Sequence, residues 1–179
     1  MSKPGPLSDA EVIAALNDLI QLDHDAIEGY TIAINTIRNH GHREALVAFR
    51  HDHTRHVEAL GALVRERGGE PARVSHLGGP LSPAVESLGA ANAGDSAVLL
   101  AFRAIEHETR QRYLSSMSDR YPDDVRPLLR QHASDEEIHF QWIESSLEGL
   151  GVERGLVSPS LPRPSSLHRY DAELNEPLA

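Results

Sequence analysis

The chain contains no cysteine, which excludes disulfides, iron–sulfur clusters and thiolate metal sites together and fits a reducing compartment. Aromatic residues make up only 4% of its 179 residues. An apolar core must therefore come mainly from Ala, Leu, Ile and Val, and at 40% hydrophobic content a chain of this length can bury one as a single domain. No apolar run approaches the roughly 18 residues that span a bilayer, and the opening Met1–Pro6 lacks the apolar stretch of a signal peptide. The expectation is a cytoplasmic protein without a membrane partner. Positive charge is scarce as well: 17 Lys and Arg stand against 27 Asp and Glu, a net charge of −10 with a pI near 5.5. That balance argues against nucleic acid as a partner.

What the chain does have is helical periodicity. A first amphipathic helix opens at Ser8, followed three residues later by Glu11 as in a capping box. Its apolar stripe runs through Leu16, Leu19, Ile20, Ala26, Ile27, Tyr30, Ile34 and Ile37. Asn39-His40-Gly41 is read as a short turn into a second helix carrying Leu46, Phe49, Leu60 and Leu63, which stops at Gly68-Gly69. Residues 69–93 break the period with Pro71, Gly78, Gly79, Pro80 and Pro83, a connection long enough to cross the length of the molecule. A third helix places Leu99, Phe102, Tyr113 and Met117 on one stripe. After the turn Tyr121-Pro122-Asp123-Asp124, a fourth carries Leu128, Leu129, Ile143, Leu147 and Leu150, with Pro127 tolerated near its first turn. Short loop, long crossover, short loop predicts an all-α, antiparallel four-helix bundle of two hairpins. The domain reading is an N-terminal extension over 1–7, the bundle over 8–150 with its crossover at 69–93, and an extended Pro/Ser-rich tail over 151–179.

Polar residues interrupt these stripes in a repeated register. Asp23, Tyr30, His53 and His56 form one set; Glu106, Tyr113, Glu136 and His139 form another. In each, the Tyr follows the leading carboxylate by 7 residues, and the next two members by 30 and 33. On the second helix Phe49, His53, His56, Leu60 and Leu63 step by 4, 3, 4 and 3, so both histidines face inward; Leu129, His132, Glu136, His139 and Ile143 do the same on the fourth. Read singly, each residue has an ordinary explanation: a hydrogen-bonded core histidine, or a carboxylate paired with a base. Read together, six groups on four inner faces point to a metal site, because buried carboxylates and imidazoles are costly unless paired or metal-bound. Oxygen and imidazole donors suit iron or manganese, with zinc also compatible. Tyr30 and Tyr113 are either packed core residues or groups that orient a ligand or relay an electron. His132 is open between ligand, proton acceptor and core residue, while His24, His40, His42, His51, His76 and His107 are read as surface or loop.

Asp23-His24-Asp25-Ala26-Ile27-Glu28-Gly29-Tyr30, Arg55-His56-Val57-Glu58-Ala59-Leu60 and Asp135-Glu136-Glu137-Ile138-His139-Phe140-Gln141-Trp142-Ile143-Glu144 together resemble the ferritin-like superfamily of bacterioferritins and rubrerythrins, over roughly residues 9–150. The resemblance implies a di-iron site with Asp23, His56, Glu106, Glu136 and His139 as ligands. His53 stands where the family's bridging Glu would be, giving three carboxylates and three imidazoles; Asp52, four before His56, is the alternative ligand. Without cysteine there is no rubredoxin-type iron centre. The haem-ligating Met of the second helix is missing too, so no haem is expected, and the tail argues against a storage cage and for a homodimer. The implied function is ferroxidase or peroxide- and oxygen-reducing oxidoreductase activity, with metal ions and a small oxidant as partners. A non-enzymatic helical stress or interaction module with a degenerate site is the alternative, and a manganese catalase the third reading.

Overall fold

The computed structural model describes residues 5–73, 84–85 and 94–152. Four helices make up the bundle: α1 (Asp9–Thr36), α2 (His40–Glu66), α3 (Asp95–Ser115) and α4 (Val125–Gly149). No strand occurs among the described residues, and none of the helices is long and apolar enough to cross a membrane. Helix α1 packs on α2 and α3 on α4, while α1 also meets α3 and α2 meets α4. This is the two-hairpin, all-α bundle that the loop lengths imply.

Local chemistry sets each helix end. Ser8 and Glu11 form a complete capping box at the start of α1, the Ser8 amide donating to Glu11 Oε2 at 2.8 Å. Asn39 caps α2 by accepting from the His42 amide at 3.0 Å. The turn between α1 and α2 is thus Ile37-Arg38-Asn39, and His40 and Gly41 lie inside α2 instead of in the turn expected from the sequence. An Asn with a free side-chain oxygen satisfies an otherwise unpaired helix-start amide, so it opens the second helix more readily than it closes the first. Gly68, at φ +76°, ends α2 in a left-handed conformation that favours glycine. Replacing Ser8 with Ala should cost about 1 kcal/mol, seen as a lower urea midpoint at an unchanged slope.

Contacts at the helix ends fix the chain directions. The Asp95 carboxylate, opening α3, accepts from the Arg38 and Asn39 amides at 2.8 and 2.7 Å. At the opposite end the Leu7 amide donates to the Arg120 carbonyl, and Arg67 reaches Asp124 at 2.5 Å. The crossover therefore starts at one end of the bundle and finishes at the other, so α2 and α3 run parallel to each other and antiparallel to α1 and α4. Most of the 69–93 crossover and nearly all of the 151–179 tail lie outside the described residues.

The repeat seen in the polar residues extends into the core. Leu16, Leu19, Leu22, Leu46, Leu60 and Val64 of the first hairpin are buried, and so are their counterparts at the same offset: Leu99, Phe102, Ile105, Leu129, Ile143 and Leu147. The two hairpins thus place equivalent residues at equivalent depths. Met117 is an exception to the sequence reading: α3 ends at Ser115, and Met117 is 47% exposed, outside the core stripe. Leu150, just past α4, is 44% exposed, because a helical period carries no residue into the core once the helix has ended.

Candidate metal centre

Each helix delivers polar side chains from one or two turns to the middle of the bundle. Asp23 and Tyr30 come from α1, His53 and His56 from α2, Glu106 and Tyr113 from α3, and His132, Glu136 and His139 from α4. All are buried. The i, i+3 spacing on α2 and α4 puts both members of each pair on one face, so the four helices converge on one cluster.

The six predicted ligands fall into two overlapping sets. Asp23, His53, His56 and Glu136 offer donor atoms within 4.8 Å of one another, and so do His53, Glu106, Glu136 and His139. In the first set His53 Nδ1 lies 2.9 Å from Asp23 Oδ1 and 3.6 Å from Glu136 Oε1, while His56 Nδ1 lies 3.7 and 3.4 Å from the same two oxygens. In the second, His53 Nε2 is 3.6 Å from Glu106 Oε1, and His139 Nδ1 is 3.7 Å from Glu106 Oε2. Donors bound at about 2.0–2.1 Å around a four-coordinate ion sit about 3.3–3.4 Å apart. The observed separations bracket that value.

Most of the donor atoms also have nothing else to bind. His53 Nε2, His56 Nδ1, His139 Nδ1, Glu106 Oε2 and both Glu136 carboxylate oxygens are buried without a hydrogen-bond partner among the described residues. Buried polar atoms normally have one. Here more than half of the exceptions among the described residues fall on the groups whose chemistry suits a hard or borderline cation, so the residues fit a metal.

Around this cluster two tyrosines and two outer carboxylates are paired with it, and they are paired crosswise. Tyr30 Oη donates to Glu106 Oε1 at 2.5 Å, and Tyr113 Oη donates to Asp23 Oδ2 at 2.6 Å, each tyrosine fixing the carboxylate of the other hairpin. His56 Nε2 donates to Asp135 at 3.1 Å, and His139 Nε2 donates to Asp52 at 3.1 Å. Each outer carboxylate turns the Nδ1 lone pair of its imidazole inward, as partners of metal-binding histidines do. Arg55 ties the two carboxylates together, 2.6 Å from Asp52 and 3.2 Å from Asp135. Asp52 therefore holds His139 from outside and does not join either ligand set. The helical period alone gives Asp135 and Arg55 no role, although Asp52 and Asp135 stand at matching positions of the repeat, one residue before His53 and Glu136.

The electrostatics show a cluster organised around positive charge. Burial opposes ionisation of Asp23, yet the hydrogen bond from His53 and the nearby His56 imidazole hold its carboxyl well below the usual range. Glu106 is lowered in the same way against its burial, by His53 and then by His139. Burial also opposes charge on His53, but Glu136, the hydrogen bond to Asp23 and the nearby Glu106 carboxylate raise it well above the ordinary histidine value. His56 is raised to about 9 against its burial by Asp23 and Glu136. Burial, reinforced by nearby carboxylates, raises Tyr30 and Tyr113, which keeps both hydroxyls as donors.

His132 is not a member of either set. Its ring stacks on His56 at 3.8 Å between centroids and meets Tyr113 edge-on at 5.6 Å. Burial, then the charge on His56, depress it to about 3, so it is a neutral wall of the site. Of the histidines assigned to the surface, His40, His51 and His107 are exposed, whereas His24 and His42 are half-buried and His76 lies outside the described residues. His42 meets Trp142 edge-on at 5.6 Å.

Among curated proteins none matches the chain. A family match covers residues 11–119, which carry Asp23, Tyr30, His53, His56, Glu106 and Tyr113 but stop short of α4. Spanning more than half of the sequence and both of its central histidines, this match places the chain in the family described as Domain of unknown function (DUF2383).

Proposed function

We propose that this protein is a ferritin-like metal-binding protein that holds a pair of iron ions between its four helices and couples their oxidation to the reduction of peroxide or oxygen. The observation that carries the reading is the convergence of buried ligand groups from all four helices on two overlapping sets, with unpartnered atoms on those from α2, α3 and α4. Asp23, His53, His56 and Glu136 would hold one ion; His53, Glu106, Glu136 and His139 would hold the other. When bound, a ferrous pair supplies two electrons, enough to cleave the O–O bond of one hydrogen peroxide to two hydroxide ions as both ions become ferric.

The chain's own residues supply position and charge. Three carboxylates offset part of the cationic charge, while Asp135 and Asp52 keep the outer imidazoles turned inward. Tyr30 and Tyr113 hold Glu106 and Asp23 in place, and Phe49 packs on the His139 ring at 4.2 Å, closing the site on that side. A neutral His53 in place of a fourth carboxylate favours ferrous over ferric iron, since less negative charge is available to neutralise two trivalent ions. That same residue supports a second reading, a module that binds metal without oxidase chemistry.

Two measurements separate the readings. Protein supplemented with iron and desalted under argon should carry about two ferrous ions per chain. A stoichiometric addition of hydrogen peroxide should then oxidise both faster than free iron in the same buffer. Metal bound but no faster oxidation would favour the binding module. Near-zero iron, manganese and zinc after supplementation with each would sink both. Rapid peroxide breakdown with manganese but not with iron would point instead to a catalase.

A further inference from the structure

We propose that His53 is a bridging ligand, each of its ring nitrogens serving one ligand set, so that the imidazole itself joins the two metal positions. The inference rests on the preceding reading that these sets bind metal, and it specifies how they are linked.

Three observations separate His53 from the other two histidines of the cluster. His56 and His139 each commit Nε2 to an outer carboxylate, Asp135 and Asp52, and so have one nitrogen left for the centre. His53 has no outer partner. Its Nδ1 faces Asp23 and Glu136 at 2.9 and 3.6 Å, and its Nε2 faces Glu106 at 3.6 Å without a hydrogen bond. The ring is also nearly equidistant from the outer imidazoles, 5.5 Å from the His56 centroid and 5.4 Å from that of His139. With the side chain fully buried, neither nitrogen can turn to solvent, and both point into the ligand sets.

Bridging has chemical consequences. Both nitrogens coordinate only when the ring has given up both of its N–H protons, which the two incoming ions displace. The resulting imidazolate adds a fourth negative charge to those of Asp23, Glu106 and Glu136, so the charge of two divalent ions is matched although one carboxylate is missing. Spacing changes too. Metal–nitrogen bonds of about 2 Å on either side of the ring place the ions about 6 Å apart, against about 3.5–4 Å in ordinary two-metal sites. The arrangement that competes has one ion on Nδ1 while Nε2–H donates to Glu106.

Cobalt(II) loading of the full chain tests this, with metal content measured by mass spectrometry and positions located by anomalous diffraction at the cobalt edge. The expected result is two ions per chain, about 6 Å apart, flanking the His53 ring. The variant His53→Glu should keep two ions and bring them to about 3.5–4 Å. His53→Gln should weaken both positions by at least about tenfold, because a bridge serves both. Two ions closer than about 4 Å in the unaltered protein, a single ion on the Nδ1 side, or His53→Gln losing affinity at one position only would overturn the bridge while leaving the metal site standing. No bound cobalt at all would overturn the bridge together with the reading beneath it, and the metal count tells the two failures apart.

Discussion

Glu136→Ala is expected to reduce metal binding from two ions per chain to none. Glu136 belongs to both ligand sets, and neither of its carboxylate oxygens has a hydrogen-bond partner among the described residues. Truncating it removes a donor and a negative charge from each set at once. It breaks no hydrogen bond, so the helix content by circular dichroism should not change. Glu106→Ala, a member of one set only, should leave one ion in place. The loss should also be visible in stability. An ion at 1,000 times its dissociation constant stabilises the folded state by about 4 kcal/mol, and each kcal/mol moves the midpoint of a chain this size by about 2–4 °C. Each bound ion should therefore raise the melting temperature of the unaltered protein by about 8–16 °C over the chelator-treated form, and metal should leave that of Glu136→Ala where it was. A Glu136→Ala protein that still binds two ions and still gains stability would show that the shared carboxylate is no ligand.

Much of this site could be read before any coordinates, for a physical reason. A helical period assigns each residue a face, and a costly residue on the inner face demands an explanation. Asp23, His53, His56, Glu106, Glu136 and His139 announce themselves in that way, and the common register of the two hairpins brings them to one depth. The choice of His53 over Asp52 as the inward group also follows from the face, since Asp52 falls one position off the stripe and reaches His139 from outside. Periodicity is silent where the partner is set by tertiary geometry. Nothing in the spacing says that Tyr30 serves Glu106 and Tyr113 serves Asp23, crosswise between the hairpins, or that Arg55 clamps two carboxylates at the rim. It is weakest at element ends. There Asn39 opens α2 instead of closing α1, and Met117 leaves the stripe because its helix has stopped.

Phe102→Ala should be among the most damaging single changes to the fold and yet a mild one for the site. Phe102 is fully buried on α3 and meets the Tyr30 ring edge-on at 4.3 Å between centroids. Its removal should cost about 3–5 kcal/mol, from lost transfer energy and the cavity left behind, or about 6–20 °C in the melting temperature at this chain length. Tyr30 loses the wall behind its ring but keeps its bond to Glu106, so two ions should still bind. Tyr30→Phe inverts the pattern. It preserves the ring packing and deletes the donor to Glu106, at a cost of about 1–3 kcal/mol in the metal-free protein. It should weaken the ion held by Glu106 and His139 by about 10–100-fold, as the loss of a ligand's hydrogen-bond partner does elsewhere. Thermal melts and metal titrations of the two variants, with Met117→Ala as an exposed control expected to stay within about 0.5 kcal/mol, would resolve the two roles. If Tyr30→Phe binds both ions as tightly as the unaltered protein, the tyrosine is core packing alone. If Phe102→Ala loses metal as severely as Tyr30→Phe, the core behind Tyr30 and the ligand in front of it act as one unit, and the site depends on packing as much as on its donors.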